Sequence, residues 1–285
     1  MSESFVLDPH YDNYCVMGNP VAHSKSPLIH AAFAKQTGES IVYQAIFVER
    51  RRFPSALDAF QRAGGKGLNV TLPFKQEAWS LAQHRSQHAN RACAVNTLWF
   101  DERGERHGDN TDGAGLVKDI LINHSGCIKG RDVLVLGAGG AVRGILEPVL
   151  AEGPVRLVLA NRTVRKAEEL ISLFADLGEL RACGYDALNS ERFNLIINGT
   201  SLSLEGKVPP LPDDILMPGG WCYDMMYADE PTAFVRWADA HGAEKALDGL
   251  GMLVEQAADS FQLWRGIRPD TGPVIEAIRR NNLAK

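Results

Sequence analysis

Val133-Leu134-Val135-Leu136-Gly137-Ala138-Gly139-Gly140-Ala141-Val142-Arg143 is the stretch that decides the fold. Its apolar start reads as a buried strand, its glycines as a tight turn, and the small residues after them as the start of a helix. About twenty residues later, Val158-Leu159-Ala160 reads as a second buried strand ending in the polar tip Asn161-Arg162-Thr163. Strand, glycine turn, helix and strand in this order form a dinucleotide-binding βαβ unit.

Two of the three fingerprint glycines, Gly137 and Gly139, stand at the expected spacing, whereas Val142 takes the third place and Gly140 is additional. Read alone, such a turn also describes a helix N-terminus that binds nothing; the second strand and the basic residues Arg162, Arg165 and Lys166 argue for a nucleotide. A unit selective for NAD usually ends its second strand in Asp or Glu, which accepts from the ribose 2′-hydroxyl. Here Asn161 and Arg162 hold that place, and a guanidinium favours a 2′-phosphate, so the expected cofactor is NADP. Gly137 and Gly139 let the backbone approach a pyrophosphate, whose charge faces the amides of the helix start. Pro148 is expected to remove one backbone bond from that helix and to bend its last turns.

With 285 residues, 45% of them hydrophobic, the chain can bury two cores. A net charge of −5 argues against a nucleic-acid surface, and Arg50-Arg51-Arg52 reads as a solvated loop. The five cysteines form no C-x-x-C pair, which fits a reducing compartment without disulfides or a zinc knuckle. With no long apolar run and no signal-like N-terminus, the expectation is a cytoplasmic protein off the membrane.

Strand and helix patterns alternate along the chain. Tyr14–Met17 reads as a strand, and Ser26-Pro27 opens a helix with Ser26 at its N-cap and Gly38 after its end. Residues 41–48, 53–63 and 67–71 continue as strand, helix and strand, with parallel crossovers as their simplest connection. Thr97–Phe100 runs into a turn, Asp101-Glu102-Arg103-Gly104, that returns the chain toward Gly108. A helix over 113–124 leads into the nucleotide domain, which includes strands at 195–198 and 221–225. Helices over 252–264 and 273–280 then pack back on the first domain. The expected architecture is α/β: an N-terminal α/β domain, 1–112, completed by 249–285, and a Rossmann-like doubly wound domain, 113–248, with a ligand cleft between them.

Polar residues crowd at the expected strand ends and helix starts of the first domain: Ser24, Ser26, Thr71, Lys75, Asn96 and Asp112. Together they suit a small polyhydroxylated acid, and a lysine near a carboxylate can move a proton to or from an alcohol while a nicotinamide moves the hydride. Burial favours the neutral amine of Lys75, whereas Asp112 favours the charged one. Each residue also has a plainer reading: Ser26 as a cap, Asp109, Asn110 and Thr111 as turn chemistry, Lys75 as a surface lysine. His84 and His88, four apart, lack a third metal ligand and read as a solvated helix face, so no metal is expected.

The stretches Gly18-Asn19-Pro20-Val21-Ala22-His23-Ser24-Lys25-Ser26-Pro27, Asn69-Val70-Thr71-Leu72-Pro73-Phe74-Lys75, Ala94-Val95-Asn96-Thr97 and Gly108-Asp109-Asn110-Thr111-Asp112-Gly113 occur in order, followed by the glycine turn, Asn161-Arg162-Thr163, Tyr223-Asp224-Met225 and Asp248-Gly249-Leu250-Gly251-Met252-Leu253-Val254-Glu255-Gln256-Ala257. Over nearly the whole chain this resembles the shikimate dehydrogenase family. The resemblance implies reversible, NADPH-dependent reduction of 3-dehydroshikimate to shikimate, on the way to chorismate and the aromatic amino acids. It implies Lys75 as acid/base with Asp112 as its partner, and Ser24, Ser26, Thr71, Asn96, Tyr227 and Gln256 as shikimate ligands, the serines nearest the carboxylate. It assigns Gly137, Ala138, Gly139, Gly140 and Ala141 to the pyrophosphate, Asn161, Arg162, Thr163 and Lys166 to the 2′-phosphate end, and Thr200, Met225 and Gly249 to the nicotinamide side. No partner beyond these small molecules is implied, and the chain is expected as a monomer or homodimer.

Departures from the family pattern are Lys166 in place of a frequent arginine, Gln87 in place of a frequent acid, Cys93 in place of a usual glycine, and no glycine soon after Thr200-Ser201. Two other readings stay open at this stage: a quinate or amino-shikimate dehydrogenase using NAD, and a non-catalytic NADP-binding regulator. The absence of an acid beside Arg162 speaks against the first, and the presence of both Lys75 and Asp112 against the second.

Overall fold

The computed structural model describes residues 5–280. They fall into two compact units, one holding the residues up to Gly115 with those from Leu253 onward, the other Leu116–Met252.

In the first unit the chain runs through β1 (Asp12–Gly18), α1 (Ser26–Thr37), β2 (Ile41–Phe47), α2 (Phe53–Arg62), β3 (Gly67–Val70), α3 (Lys75–Leu81), β4 (His84–Arg85), α4 (Gln87–Ala92), β5 (Thr97–Phe100), β6 (Arg106–Asp109) and α5 (Asp112–Lys118). The six strands form one sheet in the order β2-β1-β3-β5-β6-β4. β1 is parallel to β2 and β3, but β5 is antiparallel to both β3 and β6. Parallel crossovers therefore do not account for the whole sheet. The Asp101 carboxylate accepts from the amides of Arg103 and Glu105 at 2.9 and 2.8 Å and Gly104 takes φ 76°, a reversal too short for a parallel crossover. It also aligns the functional edge: Asn69 at the end of β3 faces Thr97, which faces Asp109.

Ser26 is not the N-cap. Lys25 takes that position without a side-chain bond, Ser26 is the first helical residue, and the Ser24 hydroxyl accepts from its amide at 3.3 Å. His84 and His88 do not share a helix, because pairing with β6 captures His84 in β4, where its ring stacks on His107 at 4.6 Å. The helix expected over 113–124 begins at Asp112 and widens into a π-helical segment at Asp119–Asn123.

The second unit contains β7 (Asp132–Leu136), α6 (Gly140–Ala151), β8 (Arg156–Ala160), α7 (Val164–Ile171), β9 (Leu180–Cys183), β10 (Phe193–Asn198), β11 (Leu216–Asp224), α8 (Ala233–Ala240) and β12 (Lys245–Leu247). α9 (Leu250–Arg265) then carries the chain back into the first unit, which α10 (Gly272–Arg279) closes. The sheet order is β12-β11-β10-β7-β8-β9, and every pairing is parallel. Val133 and Val135 pack with Val142, Ile145 and Val149 of α6 in one core; Leu134 and Leu136 point to the other, which holds Phe234 and Ala238 of α8. With both faces covered, the central strands β7 and β8 are almost continuously apolar, as a doubly wound sheet requires. Full burial of each such side chain is worth about 1.5–3 kcal/mol. The strand order reverses between β7 and β10, where ligands of such sheets bind beyond the strand ends.

Candidate functional site

Lys75 opens α3 after a tight turn in which the Phe74 amide donates to the Thr71 carbonyl at 3.0 Å. Its Nζ lies 2.5 Å from Asp112 Oδ2, the two side chains being 14% and 8% exposed. Asp112 Oδ1 accepts from Asn96 Nδ2 at 2.9 Å, and the same amide reaches Thr111 Oγ1 at 2.9 Å and Gln256 Oε1 at 3.3 Å. Asn96 Oδ1 accepts from the Thr97 hydroxyl and the Thr111 amide, both at 2.9 Å, which fixes the side chain so that its donor faces the carboxylate.

Behind this pair lies a second polar layer. Asn69 Nδ2 donates to Ser260 Oγ at 2.9 Å and to Thr97 Oγ1 at 3.1 Å, and Asn69 Oδ1 accepts from the Tyr43 hydroxyl at 2.7 Å. All of these residues are buried, so each bond counts for more than it would in water. Asn19 N donates to Leu72 O at 2.9 Å, which ties the loop leading to Ser24 and Ser26 to the loop carrying Thr71. An amine held against a carboxylate beside hydroxyls and amides can exchange a proton with a bound alcohol or carbonyl oxygen.

In the second unit, Gly137 adopts φ 101°, a conformation that disfavours any side chain, and its amide donates to Ala160 O at 2.8 Å. Cβ atoms added at Gly139 or Gly140 would meet nothing within 4 Å, so the space beside the start of α6 is open. Beyond β8, Asn161 Nδ2 bonds Thr163 O at 2.9 Å, while Arg162, Thr163 and Lys166 are exposed. Arg165 is paired with Glu169 at 2.8 Å, and among the described residues neither Arg162 nor Lys166 makes an ion pair. An uncovered helix start and two uncommitted cations fit the phosphates of NADP.

Across the switch point, a Cβ at Gly137 would lie 3.2 Å from Thr200 Cγ2, which brings the glycine turn against the loop after β10. Thr200 donates through its hydroxyl and amide to Asn198 Oδ1 at 2.7 and 3.1 Å. Met225 is buried in the core, and a side chain at Gly249 would overlap the Met225 backbone. Asp224 is wholly buried; burial pushes its carboxyl above the usual range, and hydrogen bonds from Ser203, Thr232, Met226 N and Asn198 partly offset this.

The family described as the shikimate dehydrogenase substrate binding domain matches residues 16–98, and the shikimate 5′-dehydrogenase C-terminal domain matches 249–279. A protein of Alkalilimnicola ehrlichii named shikimate dehydrogenase (NADP(+)) is 58% identical over 94% of this chain and 98% of its own. One of the same name from Methylococcus capsulatus is 56% identical over 94% and 96%. The chain belongs to the shikimate dehydrogenase family. A solved shikimate 5-dehydrogenase from Thermus thermophilus, in complex with NADP(H) and shikimate, is 34% identical, with a TM-score of 0.84 over 94% of this chain and 98% of that one.

Within this family member, Ser24, Ser26, Thr71, Lys75, Asn96, Asp112 and Gln256 all belong to the first unit, while Tyr227, the glycine turn, Asn161, Arg162, Thr163, Lys166, Thr200, Met225 and Gly249 belong to the second. Reading the sequence missed Tyr43, Asn69, Thr97 and Ser260 and gave Thr111 a turn role alone. Asn69 sits inside a motif and could have been found. Ser260 has no local signal, because α9 delivers it from 191 positions away. Among the described residues no helix is long and apolar enough to cross a membrane, and no cluster of His, Cys, Asp and Glu suits a metal.

Proposed function

We propose that this chain catalyses the reversible NADPH-dependent reduction of 3-dehydroshikimate to shikimate. The observation that carries the reading is the Lys75–Asp112 ion pair, oriented by Asn96, in a shikimate dehydrogenase family chain. Ser24 and Ser26 bind the substrate carboxylate, and Thr71, Asn96, Tyr227 and Gln256 bind its ring substituents. Gly137, Ala138, Gly139, Gly140 and Ala141 take the pyrophosphate, Asn161, Arg162, Thr163 and Lys166 the 2′-phosphate end, and Thr200, Met225 and Gly249 line the nicotinamide side.

Bound NADPH supplies the hydride. During reduction Lys75 Nζ gives a proton to the carbonyl oxygen that becomes the hydroxyl, and in the reverse direction it takes that proton back. Asp112 Oδ2 keeps the amine aimed, and Asp112 Oδ1, held by Asn96, keeps the carboxylate from turning.

The enzyme acts as a cytoplasmic monomer or homodimer. Initial rates at the NADPH absorbance band, with shikimate or quinate each offered NADP⁺ or NAD⁺, test the reading. Shikimate with NADP⁺ is expected to be preferred; preference for quinate or NAD⁺, or silence in all four, would overturn it.

A further inference from the structure

Ser203 lies in a short helical turn, Leu202–Glu205, on the loop that follows β10 and carries Thr200. Its hydroxyl donates to Asp224 Oδ2 at 2.6 Å, and Asn198 Nδ2 reaches Ser203 Oγ at 3.3 Å. The rest of the Asp224 shell comes from other segments. Thr232 Oγ1 donates to Oδ2 at 2.6 Å, while Asn198 Nδ2 and the Met226 amide donate to Oδ1 at 3.0 and 3.1 Å. Asn198 and Asp224 are both 0% exposed, at the C-terminal ends of neighbouring strands.

Of the side chains that reach this carboxylate, Ser203 alone comes from the loop carrying Thr200. Thr232 caps α8, accepting from the Val235 amide at 3.2 Å, and Met226 continues β11. The Asn198 amide is oriented by Asp224 and Ser203 on its donor side, and its oxygen then receives both Thr200 bonds. A run of bonds thus connects Ser203 to Asp224, Asp224 to Asn198, and Asn198 to Thr200. A hydrogen bond to a buried carboxylate is stronger than one between neutral groups, so losing this hydroxyl releases the loop from its bond to Asp224.

We propose that Ser203 is a positioning residue for the cofactor: its hydroxyl anchors the 199–205 loop to Asp224 and so presets Thr200 on the nicotinamide side. This rests on the nucleotide-site reading above.

The test compares wild type with Ser203→Ala and Ser203→Thr in the full chain, reading hydrogen exchange of amides 199–206 without cofactor and NADPH affinity by fluorescence titration. Ser203→Ala is expected to exchange faster in that segment alone and to weaken NADPH binding by roughly 3- to 30-fold, with KM for shikimate unchanged. Ser203→Thr keeps the hydroxyl and is expected to restore both. Unchanged exchange in Ser203→Ala overturns the proposal, as does exchange that rises without any loss of NADPH affinity. If the wild type binds no NADPH, the nucleotide-site reading fails, and with it the positioning role; the exchange comparison then reports separately whether the tether exists.

Discussion

Lys75 Nζ and Asp112 Oδ2 meet at 2.5 Å although the residues stand 37 positions apart and open different helices. A lysine in the first turn of a helix faces the positive end of the dipole, and the carboxylate of Asp112 offsets that. Each member is fixed from a separate element, and in the proposed reaction Lys75 carries the proton. Lys75→Ala should therefore lower turnover by on the order of 10²-fold or more while NADPH affinity barely changes. Steady-state rates beside a fluorescence titration check this, and activity near the wild-type level would remove Lys75 from the reaction.

Arg162 stands exposed past the end of β8, and among the described residues no acid pairs with its guanidinium. Arg162→Ala should raise KM for NADP⁺ by roughly 10- to 100-fold, the value of a charged hydrogen bond to phosphate, and leave the weaker use of NAD⁺ nearly as it was. Parallel loss with both cofactors would place Arg162 away from the 2′-phosphate.

His30 is buried in α1 and stacked on Tyr43 at 4.1 Å, with the Asn69 side chain near its ring. Burial lowers its pKa from 6.5 to about 3. Between those values the unfolded chain binds a proton that the folded ring refuses. The stability His30 contributes is therefore present above pH 6.5 and is lost as pH falls toward 3, with a slope approaching about 1.4 kcal/mol per pH unit. His30→Phe removes this dependence, so its urea midpoint should fall less than that of the wild type between about pH 7 and pH 4.5. Equal falls would assign the acid sensitivity elsewhere.

A Cβ at Gly251 would overlap the Asp119 carboxylate. Asp119 cannot swing aside freely, because the Tyr223 hydroxyl donates to it at 2.6 Å and Asn123 Nδ2 at 2.9 Å. Gly251→Ala should cost about 1–3 kcal/mol through overpacking, read as a lower Tm in calorimetry. An unchanged Tm would show that α9 can shift without penalty.

The sequence by itself determined the nucleotide-binding half of this protein. Its central strands β7 and β8 are buried on both faces, so each is a near-continuous apolar run, and the turn after β7 needs a glycine at φ 101° whatever the rest of the chain does. The basic tip at Arg162 was equally legible, since it follows directly from the strand that places it. The first unit was less so. Its mixed sheet depends on β5 pairing with β3, a choice made by strand neighbours rather than by local pattern. Tertiary structure alone decided that Lys75, whose plainer reading by sequence was a surface lysine, is largely buried against Asp112, and that Asn69, Thr97 and Ser260 stand behind it. A buried polar group must find partners, and the chain supplies them from elements far apart in sequence, which no local spacing records.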